Sequence, residues 1–322
     1  MLTVFVSHGS ALLSMDPLCD LHVNLGAAGR RLLQTAATRN PPLLTGIVVN
    51  SGHYQAGASS SSYVTVSSRG VGSHWGTMHD HPAQALFGFK YTAETCASLG
   101  EQVRLALVAA GLDARDDDSS KRRELDHGAW VALHSLWPDQ APCPVVQVSL
   151  HGGGVEDNFH LGQCLAAGLS SRGVILVASG GLTHNQDEFR RSFFRDAPAA
   201  PLAELADWSE GARERRRQGV RRAESSTFAE SVAFDAIARS AVEEGRAHVL
   251  LRAHDEAPDF ARVHPEPSHW LPLIVALGAA HSGSDGSGAV CIGTGTTVHQ
   301  GFQHGLSETA FLWDGAAGGN NS

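Results

Sequence analysis

The chain has 322 residues, 42% of them hydrophobic and 18% charged, and its 24 lysines and arginines face 33 aspartates and glutamates for a formal net charge of -9. That length and balance suit a globular protein with a full core, either one large α/β domain or two smaller ones. The acidic surplus leaves no basic footprint for nucleic acid or an anionic membrane surface, which points to a small-molecule partner.

Leu2 to Val6 reads as a first strand and Leu21 to Thr35 as a helix, with Leu25, Leu32 and Leu33 on one face. Ile47 to Asn50 is a second buried strand, and the alternating Tyr63-Val64-Thr65-Val66 an edge or antiparallel one. Ala93 to Ala110 has helical spacing with Gly111 as its C-cap, and Asp113 to Arg123 reads as a charged loop. Pro144 to Leu150 is a third strand, Leu161 to Leu169 a helix, and Val174 to Ala178 a fourth strand. Gln186 to Arg246 turns helical and charged, and the run Arg213 to Arg217 reads as a solvated helix face. Leu271 to Ala280 is a last apolar helix.

Strand and helix alternate, so the expected fold is α/β, one domain over residues 1–322 with a mainly parallel, doubly wound central sheet flanked by helices. Residues 282–288 are expected to form a mobile loop and 315–322 a frayed tail. Cys19, Cys96, Cys143, Cys164 and Cys291 are scattered, odd in number and without a CxxC pair, which fits a reducing compartment. With no run approaching roughly 18 apolar residues and no leader pattern, the expected location is cytoplasmic.

Histidine is over-represented, with 18 residues, and several follow strand-like runs: His8 after Val4-Phe5-Val6, His53 after Ile47-Val48-Val49, and His184 after Val174 to Ala178. A parallel sheet gathers such strand ends along one edge, where distant side chains converge into an active site. Two imidazoles plus a third ligand make the facial arrangement used by non-haem Fe(II), and His8 and His53 form the natural pair. His184 sits in a glycine-rich turn as ligand or, preferably, acid/base. Asp126 suits a helix N-cap, which leaves His127 as a solvated neighbour or a site residue. His22, His160, His248 and His281 read as structural or solvated.

The ordered series Ser7-His8-Gly9-Ser10, Asn50-Ser51-Gly52-His53-Tyr54, His79-Asp80, Leu125 to Val131, Pro144 to Leu150, Ser179 to Asn185, His264 to His269 running into Leu271 to Gly278, and Gly305-Leu306-Ser307 resembles the LigB superfamily of class III extradiol ring-cleaving dioxygenases, and most nearly its 4,5-DOPA extradiol dioxygenase branch. The resemblance implies that O2 opens a catechol ring next to its hydroxyls to a semialdehyde, in a monomer or small homo-oligomer. It implies Fe(II) held by His8, His53 and His269, with Zn(II) as an alternative occupant, Glu266 as the fallback ligand and His264 in support. It further implies His184 as acid/base and His127 in the substrate pocket. Ala11 stands where the family usually has proline, and Gly52 and Tyr54 fall in a motif more often Ser-Ala-His-Trp; both departures bear on substrate shape. A zinc hydrolase is the rival enzyme, weakened by the lack of an HExxH motif. A binding protein that kept the fold and lost its metal is the non-catalytic rival.

Overall fold

The computed structural model describes residues 1–9, 19–39, 44–56, 62–67, 91–117, 125–189, 211, 228–284, 290–303 and 305–314. Ala11, His79-Asp80-His81, the arginine-rich run 213–217 and the tail 315–322 lie outside them.

The centre is an eight-stranded sheet in the order β4-β3-β5-β2-β6-β1-β12-β9. Its middle strands are β1 (Leu2–Ser7), β2 (Gly46–Gln55), β5 (Val145–Leu150) and β6 (Val174–Gly180), and they pair in parallel. They are almost wholly buried because both faces are covered, as continuous Val/Ile/Leu runs require. Alternate side chains take opposite cores. Val4, Val6, Ile47, Val49, Ile175 and Val177 pack on one face with α1 (Asp20–Thr38) and α3 (His127–Leu136). Val48 and Leu176 pack on the other with α2 (Ala97–Ala109) and α4 (Val155–Leu169). Phe5 and Ala178 join the neighbouring core of that face, built on α5 (Ala229–Glu243), α6 (Ala247–Leu251), α7 (Ala253–Glu256), α8 (Phe260–Val263) and α9 (Leu271–Ala279). The sheet is therefore doubly wound, as expected.

Several boundaries depart from the sequence reading. Strand β2 runs past its apolar stretch because Asn50 Nδ2 donates to Val148 O at 3.0 Å and Ser51 Oγ to Asp126 Oδ1 at 2.7 Å, so side-chain hydrogen bonds carry the strand through its buried polar residues. His53 thus lies within β2, not after it. Inside the expected charged loop, β4 (Ala114–Asp116) pairs in parallel with β3 (Val64–Val66), which in turn joins β5 antiparallel. Helix α4 begins at Val155, ahead of its apolar stripe, with Glu156 and Asp157 in the first turn where the helix dipole favours anions. Residues 282 to 284 of the expected loop belong to β7 (His281–Ser284), paired with β8 (Val290–Ile292); its residues 285–288 lie outside the described ones.

The C-terminal strands went unpredicted. β9 (Thr296–His299), β10 (Phe302–Gln303), β11 (Leu306–Ser307) and β12 (Ala310–Trp313) are too short or too mixed in composition to stand out. β12 lies antiparallel to β1 and β9 closes that edge. Helices α4 and α9 meet so closely that a Cβ on Gly162 would lie 2.0 Å from Val275 O. No helix among the described residues is long and apolar enough to cross a membrane.

Candidate metal centre

The C-terminal ends of β1, β2 and β6, the start of α3 and the 3-10 turn Pro267–His269 converge on one edge of the sheet. Ring nitrogens of His8, His53 and His127 all lie within 4.8 Å of one another. The His269 ring joins them, 4.6 Å from the His53 ring and 5.3 Å from that of His8, and His184 stacks on His269 at 3.5 Å and 5°. All five histidines singled out from the sequence as ligands or proton carriers are therefore brought together. Their approach needs Gly180, where a Cβ would stand 2.2 Å from His269 O, the atom that accepts Gly181 N–H at 2.9 Å.

The hydrogen bonds behind the rings set their tautomers. Ser179 Oγ spends its single proton on Gly128 O at 2.7 Å, so at 3.0 Å from His8 Nδ1 it accepts Nδ1–H. His8 is thus neutral, with its Nε2 lone pair open. Ser268 does the same for His269: its hydroxyl donates to Glu266, so at 3.2 Å it accepts Nδ1–H and leaves Nε2 as lone pair. That Nε2 stands 3.1 Å from His53 Nε2. Two nitrogens on one metal at roughly 2.0–2.1 Å, at angles of about 90–110°, stand roughly 2.9–3.4 Å apart, so the donor set fits a bound metal ion. Buried hydrogen-bond partners behind ligating histidines are the arrangement that orients such rings.

Electrostatics keeps these rings unprotonated. Desolvation, and then the neighbouring imidazoles, hold His8 and His269 well below the usual histidine value. His53 is the exposed member; desolvation lowers it too, against Asp126 and Glu266, which raise it. Burial, then His53, lowers half-buried His184 to about 4. In the turn of His184, Nε2 accepts from the Gln186 amide at 3.0 Å and the backbone N–H donates to Val263 O at 2.8 Å.

Asp126 is the N-cap of α3, its Oδ1 accepting Ala129 N–H at 3.1 Å, and the helix it starts delivers His127 to the cluster, so the two local alternatives hold together. Burial raises the Asp126 carboxyl, and its Oδ2 finds no partner among the described residues. Glu266 is exposed and engaged by Ser268, with 3.2 Å from each carboxylate oxygen to the Ser268 N–H. His264 is buried against Phe234, Phe260 and Trp270 and donates Nε2–H to Leu182 O at 2.9 Å, bracing the turn that carries His184. Sequence reasoning assigned no role to Ser179, Ser268 or Ser51; the first two are small hydroxyls beside a ligand or a glycine turn, a signal too common to single them out.

A sheet edge lined with neutral histidines is a place where an α/β protein could hold a metal ion. The chain belongs to the family of the catalytic LigB subunit of aromatic ring-opening dioxygenases, whose family model matches residues 2–302. It is 27% identical over 288 residues to a 4,5-DOPA dioxygenase extradiol of Beta vulgaris, covering 88% of each chain. Its identity to the protein of that name from Portulaca grandiflora is 31% over 197 residues, 61% of this chain and 60% of that one. A crystal structure of an uncharacterized Escherichia coli K12 protein shares the fold with a TM-score of 0.60 at 23% identity, over 97% of this chain and 99% of the other.

Proposed function

We propose that the protein is a non-haem Fe(II)-dependent extradiol dioxygenase that opens the ring of a catechol with O2 to a semialdehyde. His8, His53 and His269 hold the metal, and Zn(II), favoured by the usual affinity order, competes for the same nitrogens. The observation that carries the reading is the pair of Nε2 atoms 3.1 Å apart on His53 and His269, with His8 and His269 both fixed as Nε2 lone-pair donors. Bound there, iron supplies a Lewis-acidic, redox-active centre with open positions for substrate and oxygen. Family membership does not favour the zinc hydrolase or the non-catalytic reading.

The chain's own residues handle protons and orientation. His184, neutral at pH 7 and stacked on a ligand ring, accepts the catechol proton on Nε2 as that proton displaces the Gln186 amide; a catecholate's negative charge beside it offsets the desolvation that holds its pKa near 4. His127, 5.1 Å from the His53 ring, faces the substrate side. The compactness of His8, His53 and His127 favours a second ligand set with His127 as third member. Metal content of His269→Ala and His127→Ala separates the two: loss of metal only in His269→Ala is expected, and loss only in His127→Ala overturns that assignment. Oxygen uptake and a semialdehyde product from a catechol panel with Fe(II)-loaded protein test the reaction, and no uptake with any catechol overturns it.

A further inference from the structure

Next to the histidine cluster, the ends of β2 and β5 and the turn before α9 enclose a cavity of about 150 Å³. Gln55, His151, Glu266 and Ser268 form its polar wall, with Leu150 and Leu271 among the apolar lining. Two points join it to the cluster: Gln55 lies two residues past His53 along β2, and Ser268 accepts from His269 Nδ1. The cavity thus adjoins the histidines through the segment that carries His269.

His151 is the unexplained residue of that wall. It is 7% exposed, and its Nδ1 accepts Gly153 N–H at 3.1 Å, which puts the ring proton on Nε2. That Nε2–H has no acceptor among the described residues. The backbone here is pinned from both sides by Asn158, whose Oδ1 accepts His151 N–H at 3.0 Å and whose Nδ2 donates to His151 O at 2.8 Å. A rigidly held donor on the cavity wall that has no protein partner is free to exchange water for an acceptor supplied by a ligand.

The charges around it decide which acceptor. Glu266 stands in the wall, Asp157 Oδ2 lies 3.7 Å from His151 Nδ1, and Glu156 shares the first turn of α4; the lining holds no lysine or arginine. The start of α4 lacks a side-chain cap, but its dipole amounts to about half a charge of short range, less than these carboxylates supply. We propose that the cavity is the substituent subsite of the ring-cleavage reaction and that His151 Nε2–H sets its specificity, selecting an uncharged hydrogen-bond acceptor such as an amide or hydroxyl over a carboxylate. The inference rests on the ring-opening reading of the site.

The test compares Fe(II)-loaded wild type with His151→Leu, His151→Phe and His151→Gln on three 4-substituted catechols whose side chains of equal length end in methyl, primary amide or carboxylate. Oxygen uptake gives kcat and KM, and anaerobic titration gives the binding of each catechol separately. Wild type is expected to favour the amide over the methyl compound about tenfold in kcat/KM, the worth of one hydrogen bond, and to rank the carboxylate last. Both apolar variants lose the amide preference through KM with kcat within twofold, and His151→Gln restores part of it; His151→Phe keeps the ring shape should His151→Leu fail to fold. A wild-type preference for the carboxylate, or an unchanged ranking in the apolar variants, overturns the inference. Absence of oxygen uptake with all three would instead overturn the ring-opening reading, and the anaerobic affinities would still decide for or against the subsite.

Discussion

Ser179→Ala tests how far a hydroxyl that never touches the metal governs it. The substitution removes the acceptor of His8 Nδ1–H, 3.0 Å away, and the donor to Gly128 O, 2.7 Å away, in a buried setting. Each buried group left without a partner costs about 1–3 kcal/mol, so the metal-free protein is expected to lose about 2–6 kcal/mol of stability, a large part of a typical 5–15 kcal/mol total. Metal affinity falls as well, because the His8 ring can now turn and place its proton on Nε2. Losing such a supporting bond typically weakens binding about 10–100-fold, or about 1.4–2.7 kcal/mol. Competition with a chromophoric chelator for Zn(II) reads the affinity, and urea unfolding of the metal-free protein reads the stability. A folded Ser179→Ala variant binding zinc within threefold of wild type would refute the claim that Ser179 orients a ligand.

Further expectations follow from the same geometry. Glu266→Gln should keep its metal, since the carboxylate is engaged by Ser268, with a drop in affinity of up to about tenfold through His269; complete loss of metal would make Glu266 a ligand after all. In the pH dependence, His264 and His184 have folded values near 3 and 4 against about 6.5 unfolded, so below 6.5 the unfolded chain binds protons that the folded one refuses. Stability of the metal-free protein is therefore full above pH 6.5 and falls as pH drops, by up to about 1.4 kcal/mol per unit for each histidine, until each folded value is passed. Urea unfolding between pH 7.5 and 5 should show that slope, and His264→Leu should flatten it; equal slopes in both proteins would contradict the assignment. Gly162→Ala forces a methyl to within 2.0 Å of Val275 O and should destabilise by about 3 kcal/mol or more in thermal or urea melts, whereas a neutral change would mean that α4 and α9 can separate.

What could be read from the sequence tracks how much of each feature is local. β1, β5 and β6 stood out because burial on both faces makes uninterrupted apolar runs, and the same runs put His8 and His184 near one edge. β2 was legible only to Asn50, since its continuation depends on partners 75 and 98 residues away. The choice between Asp126 as a cap and His127 as a site residue had no local answer, because one helix start serves both. His269 and Glu266 were hard to rank for the same reason: three residues apart on one turn, they differ in which reaches His53, and that is set by the packing of α9 on α4. His151 gave no signal, since its meaning lies in a cavity wall assembled from three segments.

The strand order also bears on how the protein folds. β1 is sandwiched between β6 and β12, and β12 ends at Trp313, so segments about three hundred residues apart meet in one sheet. His8 waits for Ser179, and His53 for His269 more than two hundred residues later. Contacts of such sequence separation form slowly and leave the early chain with open strand edges. The proposed set of His8, His53 and His269 is thus complete only when residues more than two hundred positions apart have met, so its assembly reports on the closure of the whole sheet.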